Sequence, residues 1–179
     1  VISECHCLRG LQIRQLMIRP KPDIMIDKGG FDQLLMLRSL VKQVHRESDV
    51  AVDMIAIAKK IARLHGVLLL AIADSPALRA QGLMGVEDLG DLDGMLFYWR
   101  HEASGGFWMK DTLIPLDIVW FDEDGTYADR ASMVPCPPDV GDDCPLYRPE
   151  GEPDYRFAIE ANPGELDWID ESTVIEYQD

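Results

Sequence analysis

Several polar and aromatic side chains stand inside otherwise apolar stretches of this 179-residue chain. They are Arg79 in "LRAQGLMG", Trp108, Lys110, Asp111 and Thr112 in "GGFWMKDT", Asp117 in "PLDIVWFDEDG" and Glu160 in "YRFAIEANPG". An indole beside carboxylate, cation and hydroxyl is the equipment with which shallow pockets hold sugars and other polar small molecules. Trp108 would supply an aromatic floor, with Trp99 or Trp120 beside it. Asp117 alternates with Leu116 and Ile118, and Glu160 follows Ile159, so on a half-buried strand both carboxylates are expected on the face away from the core. Arg79 and Lys110 are the natural partners for them. The plain alternative to a pocket is therefore an ion-pair network pinning a short helix and a loop to a sheet.

Two further chemistries are open to these residues. Paired carboxylates drawn from Asp111, Asp117 and Glu160 have the composition of a hydrolase acid and base. Met84, Met95 and Met109 offer thioethers of the kind that suit copper(I), although methionine is also an ordinary filler of irregular cores. The sequence has no Gly-x-Ser-x-Gly elbow and no phosphate loop, and His101 lies in a loop-like "RHEASGG" that reads as solvated. No cofactor and no metal are expected. Cys136 and Cys144 bracket the Pro-rich "PCPPDVGDDCP", where a disulfide would staple the loop in an oxidising compartment. Cys5 and Cys7 flank His6 without a second pair at zinc-finger spacing.

The elements that must position these groups lie in the second part of the chain. "VLLLAIA" reads as a buried strand. "DSPALRAQG" has the grammar of one short helix: Asp74 or Ser75 as cap, Pro76 in the first turn, Gly82 at the close. Met95 to Trp99 reads as a strand, and "LDIVWFDEDGTYADRASMV" reads as a hairpin with Asp124-Gly125 in its turn. Leu116, Ile118 and Trp120 are expected on one face and Asp117, Val119 and Phe121 on the other. Tyr155, Phe157 and Ile159 are expected to oppose Arg156, Ala158 and Glu160, before Asn162-Pro163-Gly164 turns the chain. "STVIEYQD" offers a last strand. This pattern predicts a mostly β fold, a single compact β-sandwich or barrel-like domain with one short helix over 67–179. Before it, 1–28 reads as loop, and Asp32 and Asp49 read as caps of two amphipathic helices. Residues 1–66 thus form a basic helical appendage, either a natural hairpin or a non-native extension.

Charge divides the chain at the same place. Residues 1–66 carry 11 Lys/Arg against 7 Asp/Glu, a net +4, and 67–179 carry 6 against 25, a net −19, giving −15 in all. Such an acidic domain repels phosphates, so nucleic acid is not an expected partner. The apolar runs are too short to span a membrane. The opening residues lack the apolar stretch of a secretory signal, which makes cytoplasmic the default compartment. Oligomeric state has no signature.

Four fragments, "LRAQGLMG", "GMLFYW", "FWMKDTLIPLDIVWFDEDG" and "YRFAIEANPG", resemble in order and spacing a bacterial and archaeal family, domain of unknown function 192. The resemblance covers about 67–166. It implies one mostly β domain, often exported or lipid-anchored, with no established activity. The family commonly has Asn where this chain has Asp111. The reading that joins these observations is a non-catalytic binding module for a polar small molecule or cell-envelope glycan, with the paired-carboxylate hydrolase and the Met-rich copper-handling domain as alternatives.

Overall fold

In the computed structural model, residues 12–20 and 67–176 are described, with 138–139, 141–142 and 152 excepted. Among the described residues the fold is mostly β with one short helix. In chain order the elements are β1 (Gln12–Pro20), β2 (Val67–Ala73), α1 (Pro76–Gln81), β3 (Gly94–Ala103), β4 (Phe107–Trp108), β5 (Leu116–Phe121), β6 (Tyr127–Met133), β7 (Leu146–Tyr147), β8 (Tyr155–Ala161) and β9 (Thr173–Glu176). Seven strands form one mixed sheet in the order β6-β5-β8-β3-β2-β1-β9, and β4 pairs with β7 in a small second sheet. Only β2 and β3 run parallel, linked through α1.

The large sheet closes on itself. Its end strands meet where Thr126 bridges Val174, and the Ile175 N–H donates to the Gly125 carbonyl at 2.8 Å. The β5–β6 turn makes that seam possible. Asp122 accepts from the backbone of Asp124 and Thr126 at 3.0 and 2.8 Å, and Gly125 takes a φ of +77°. A Cβ at Gly125 would collide with the Ile175 carbonyl oxygen, so this turn residue has to be glycine for two reasons.

Two apolar clusters lie on the two faces of the sheet. One joins Leu70, Leu96, Val119, Phe121, Phe157 and Ile159 to Ile175 on β9. Strands from both ends of the strand order can share one cluster only if the sheet curls around it, so this is the barrel interior. Leu166 and Ile169, from the β8–β9 connection, also belong to it. The other cluster joins Ala71, Met95, Phe97, Ile118, Trp120 and Ala158 to residues of 83–92 and 107–116, which cover the sheet from outside. The faces of β5 alternate as its sequence predicts.

Four features differ from the sequence reading. The stretch 1–28, read as loop, contains β1, whose backbone is paired on both sides, by β2 and by β9; tertiary pairing rather than local periodicity makes this strand. β3 runs on to Ala103, so exposed His101 stands on a strand rather than in a loop. Tyr155 packs with Ala158 rather than with Phe157 and Ile159, next to a register shift between Tyr98 and Ala103 on β3. The short β4–β7 pair has no sequence signal at all. The helices expected after Asp32 and Asp49 lie outside the described residues.

Candidate functional site

A cavity of about 270 Å³ opens between α1, the outer face of β3 and β8, and the segment leading into β4. Its wall is aromatic. Phe97 meets Phe107 edge-on with ring centres 5.1 Å apart, and Trp99 meets Tyr155 edge-on at 5.2 Å. Tyr155 is buried, which pushes its phenol up to about 12, and its O–H donates to the Gly105 carbonyl at 2.8 Å. That bond fixes the glycine segment that carries Trp108. Trp108 itself is 40% exposed at the cavity rim, with the Lys110 ammonium 5.3 Å from its ring centre.

Among the described residues two charged side chains line the cavity, and they are not paired with each other. Arg79 sits at the C-terminal end of α1, a helix capped by the Ser75 hydroxyl and closed by the Gly82 N–H on the Leu78 carbonyl. Its Nη1 donates to the carbonyls of Asp74 and Tyr98 at 2.7 and 2.9 Å, and its guanidinium lies 5.2 Å from the Trp99 ring centre. This ties the helix to β3 through carbonyls, leaving Nε and Nη2 without a partner among the described residues. Glu160 occupies the middle of the sheet, opposite Met95 on β3 and Ile118 on β5. It is 5% exposed, and its carboxyl has no hydrogen bond or ion pair among the described residues. Burial alone pushes it from 4.5 up to about 8. A neutral carboxylic acid facing an aromatic cavity is the result.

The residues singled out in the sequence divide between this cavity and other places. Arg79, Trp108, Thr112 and Glu160 line it; Lys110, Asp111 and Asp117 do not. The Asp111 side chain is exposed on a turn where its backbone takes a φ of +54° and its carbonyl accepts from Gly85 N–H at 2.8 Å. Asn and Asp are the non-glycine residues that enter this conformation most readily, which accounts for an Asp here. Asp117 is buried and accepts from the Ser132 hydroxyl and from the Gly164 N–H, both at 2.7 Å. It is paired with Ala161, one residue out of step with the Ile118–Glu160 pair, so Asp117 and Glu160 point to opposite faces.

Three expectations are therefore corrected. Neither carboxylate points to an open face, because both faces of the sheet are covered. Arg79 bonds to carbonyls rather than to Asp117 or Glu160. Trp120 is fully buried and cannot floor a pocket. Met95 and Met109 are buried in the outer cluster, while Met84 lines the cavity. No grouping of His, Cys, Asp and Glu suited to a metal occurs among the described residues. Cys136 and Cys144 are joined as a disulfide. Phe97, Phe107 and Tyr155 are cavity residues that the sequence reading treats as core or strand positions only; their aromatic clustering depends on the β3–β8 pairing, which has no local signal.

The model of the domain of unknown function 192 family, described as an uncharacterized ACR, matches residues 49–174. The chain belongs to this family. Two solved structures of similar fold are a candidate transcription regulator from Sinorhizobium meliloti 1021 and a protein of unknown function from Novosphingobium aromaticivorans DSM 12444. Each has a TM-score of 0.51 and 26% identity; the first alignment covers 62% of this chain and 81% of the other, the second 63% and 78%. No curated protein matches the chain. Leu83, Met95 and Met109 lie in the outer cluster, and Gly82, Met84 and Trp108 line the cavity. Among the described residues no helix is long and apolar enough to cross a membrane.

Proposed function

We propose that this domain of unknown function 192 protein is a non-catalytic binding module whose cavity holds a polar small molecule. The observation that carries the reading is Glu160: a carboxyl 5% exposed, with no partner among the described residues, lining an aromatic cavity. A carboxyl that the fold leaves without a protein partner in a largely apolar cavity is a group that a polar ligand would satisfy. The cavity is only just below the ~300 Å³ at which small-molecule sites usually begin. Half-exposed Trp108 supplies the rim surface on which a sugar ring or another flat ligand stacks.

Catalysis by two carboxylates finds less support, because among the described residues Glu160 is the only carboxylate in the cavity lining and Asp117 faces the other side of the sheet. The net charge of 67–179 likewise argues against a nucleic-acid ligand. The test is a thermal-shift screen of monosaccharides, polyols and amino acids on the full chain. A ligand that binds only the folded state raises the melting temperature. The expected outcome is a saturable rise that is lost in Glu160→Gln and in Trp108→Ala, with both variants still melting cooperatively. A rise of equal size in both variants places the ligand elsewhere and refutes the reading.

A further inference from the structure

We propose that the ligand is a zwitterion of the amino-acid class, with its ammonium group on Glu160, its carboxylate on the Nε/Nη2 edge of Arg79 and its apolar side chain against Phe97 and Phe107. This rests on the cavity being a ligand site and goes on to name the ligand's chemistry.

Three observations converge on it. First, among the described residues the cavity lining holds one cation and one carboxyl that are not paired with each other, a polarity that a ligand carrying both charges would match. Second, Arg79 uses only Nη1 for its carbonyl bonds, and its stacking on Trp99 holds the guanidinium plane. The free edge is the fork that binds a carboxylate through two parallel hydrogen bonds. Third, the same cavity is lined by Phe97, Trp99, Phe107 and Tyr155, which suits an aliphatic side chain and also favours an ammonium group over a ring face. A neutral sugar would leave the Arg79 edge and Glu160 without charged partners. A simple anion would meet Glu160, and a simple cation would meet Arg79.

The fit requires Glu160 to ionise. Its proton leaves to solvent as the ammonium arrives, so binding releases up to one proton at any pH below about 8. Opposite Glu160 stand Met95 on β3 and Ile118 on β5, both apolar; of the other described cavity residues Thr112 and Trp108 are uncharged, Arg79 is a guanidinium, and burial pushes Tyr155 up to about 12. Affinity for a zwitterion must therefore rise with pH between 5 and 8, approaching tenfold per unit. A neutral ligand that accepts a hydrogen bond from protonated Glu160 must show the opposite trend.

The experiment is isothermal titration of the full chain with the twenty L-amino acids, and with glucose, N-acetylglucosamine and glycerol as neutral probes. It is run at pH 5.5, 6.5 and 7.5, in phosphate and in Tris at the highest pH to count protons. For leucine, 3-methylbutylamine and 4-methylpentanoate serve as the analogues lacking one charged group. The expected result is binding of one or more apolar amino acids that strengthens with pH, with proton release, at least a tenfold loss for each analogue, and loss of the pH trend in Glu160→Gln. Absence of binding by every amino acid overturns the inference, as does affinity that falls with rising pH. A neutral probe that binds more tightly at pH 5.5 and depends on Glu160 overturns the zwitterion while leaving the binding module in place. If neither amino acids nor neutral probes bind, both proposals fall.

Discussion

Replacing Glu160 with Gln should stabilise this protein at neutral pH. A carboxyl has an ordinary value of 4.5, and burial raises that of Glu160 to about 8 in the folded chain. Below about pH 4.5 the group is protonated in both folded and unfolded states and adds no pH dependence. Between 4.5 and 8 the unfolded chain has released the proton while the folded chain retains it, so stability falls as pH rises. Above about 8 both states are ionised and the whole penalty is present. At 1.36 kcal/mol per pKa unit the penalty approaches about 5 kcal/mol at pH 8 and about 3 kcal/mol at pH 7. Water entering the cavity lowers both figures.

Gln has nearly the same shape and never ionises. The difference in unfolding free energy between Glu160→Gln and the natural chain should be under about 1 kcal/mol at pH 5 and grow to about 3 kcal/mol at pH 7. For a chain of this size that corresponds to a melting temperature higher by about 6–12 °C at pH 7. Urea unfolding of both proteins at pH 5, 6, 7 and 8, with a shared denaturant slope, reads the difference directly. Taking the difference removes the pH dependence contributed by the rest of this strongly acidic chain. A difference that stays constant from pH 5 to pH 8 would falsify the description of Glu160 as a buried acid without a compensating partner.

Substitutions at four other places test separate parts of the structure. Gly125→Ala should cost about 2–3 kcal/mol, from the positive φ and the collision with the Ile175 carbonyl that opens the barrel seam; a urea midpoint within error of the natural chain sinks the closed-barrel description. Asp117→Ala should cost about 3 kcal/mol by orphaning the Ser132 hydroxyl and the Gly164 N–H, and should leave ligand-induced thermal shifts intact; their loss in a folded variant would move Asp117 into the site. Asp111→Gly and Asp111→Asn should be nearly neutral, while Asp111→Val should lose about 1–2 kcal/mol, as measured by thermal melting; equal effects of all three contradict a backbone role. Replacing Cys136 and Cys144 together with Ala should cost about 2.5 kcal/mol for a loop this short, read from urea unfolding of the oxidised natural chain beside the variant.

The parts of the fold that were legible in the sequence are those set by neighbours in the chain. The Ser75 cap, Pro76 and Gly82 fix α1 within eight residues, and the Asp122-to-Thr126 turn fixes the β5–β6 hairpin. Alternation along β5 assigned its faces correctly. It did not reveal that both faces are covered. Antiparallel strands usually keep one wet face, and the covering segments 83–92 and 107–116 arrive from elsewhere in the sequence. The same limit hid the partners of Asp117, which lie 15 and 47 residues away, and the pairing of β1, whose neighbours lie far along the chain. The Trp-Met-Lys-Asp-Thr cluster was legible as unusual, but its residues separate by role: Trp108 and Thr112 to the cavity, Met109 to the core, Asp111 to the turn.

The acids of this region show why residue type alone underdetermines a site. Asp111, Asp117 and Glu160 are chemically alike, yet one satisfies a backbone dihedral and one satisfies two donors. Only Glu160 gives nothing back to the fold. Its neighbours Met95 and Ile118 are apolar, its carboxyl has no donor among the described residues, and burial raises it to about 8, so the folded chain holds a proton at neutral pH that the unfolded chain releases. Local destabilisation that the fold does not use is the pattern of a site shaped for a partner outside the chain. Arg79 lines the same cavity. A cation fixed by carbonyls, with its remaining edge turned free, is held in place before any ligand comes. The two groups are thus oriented by the scaffold but not satisfied by it, and a molecule carrying both charges would satisfy them together.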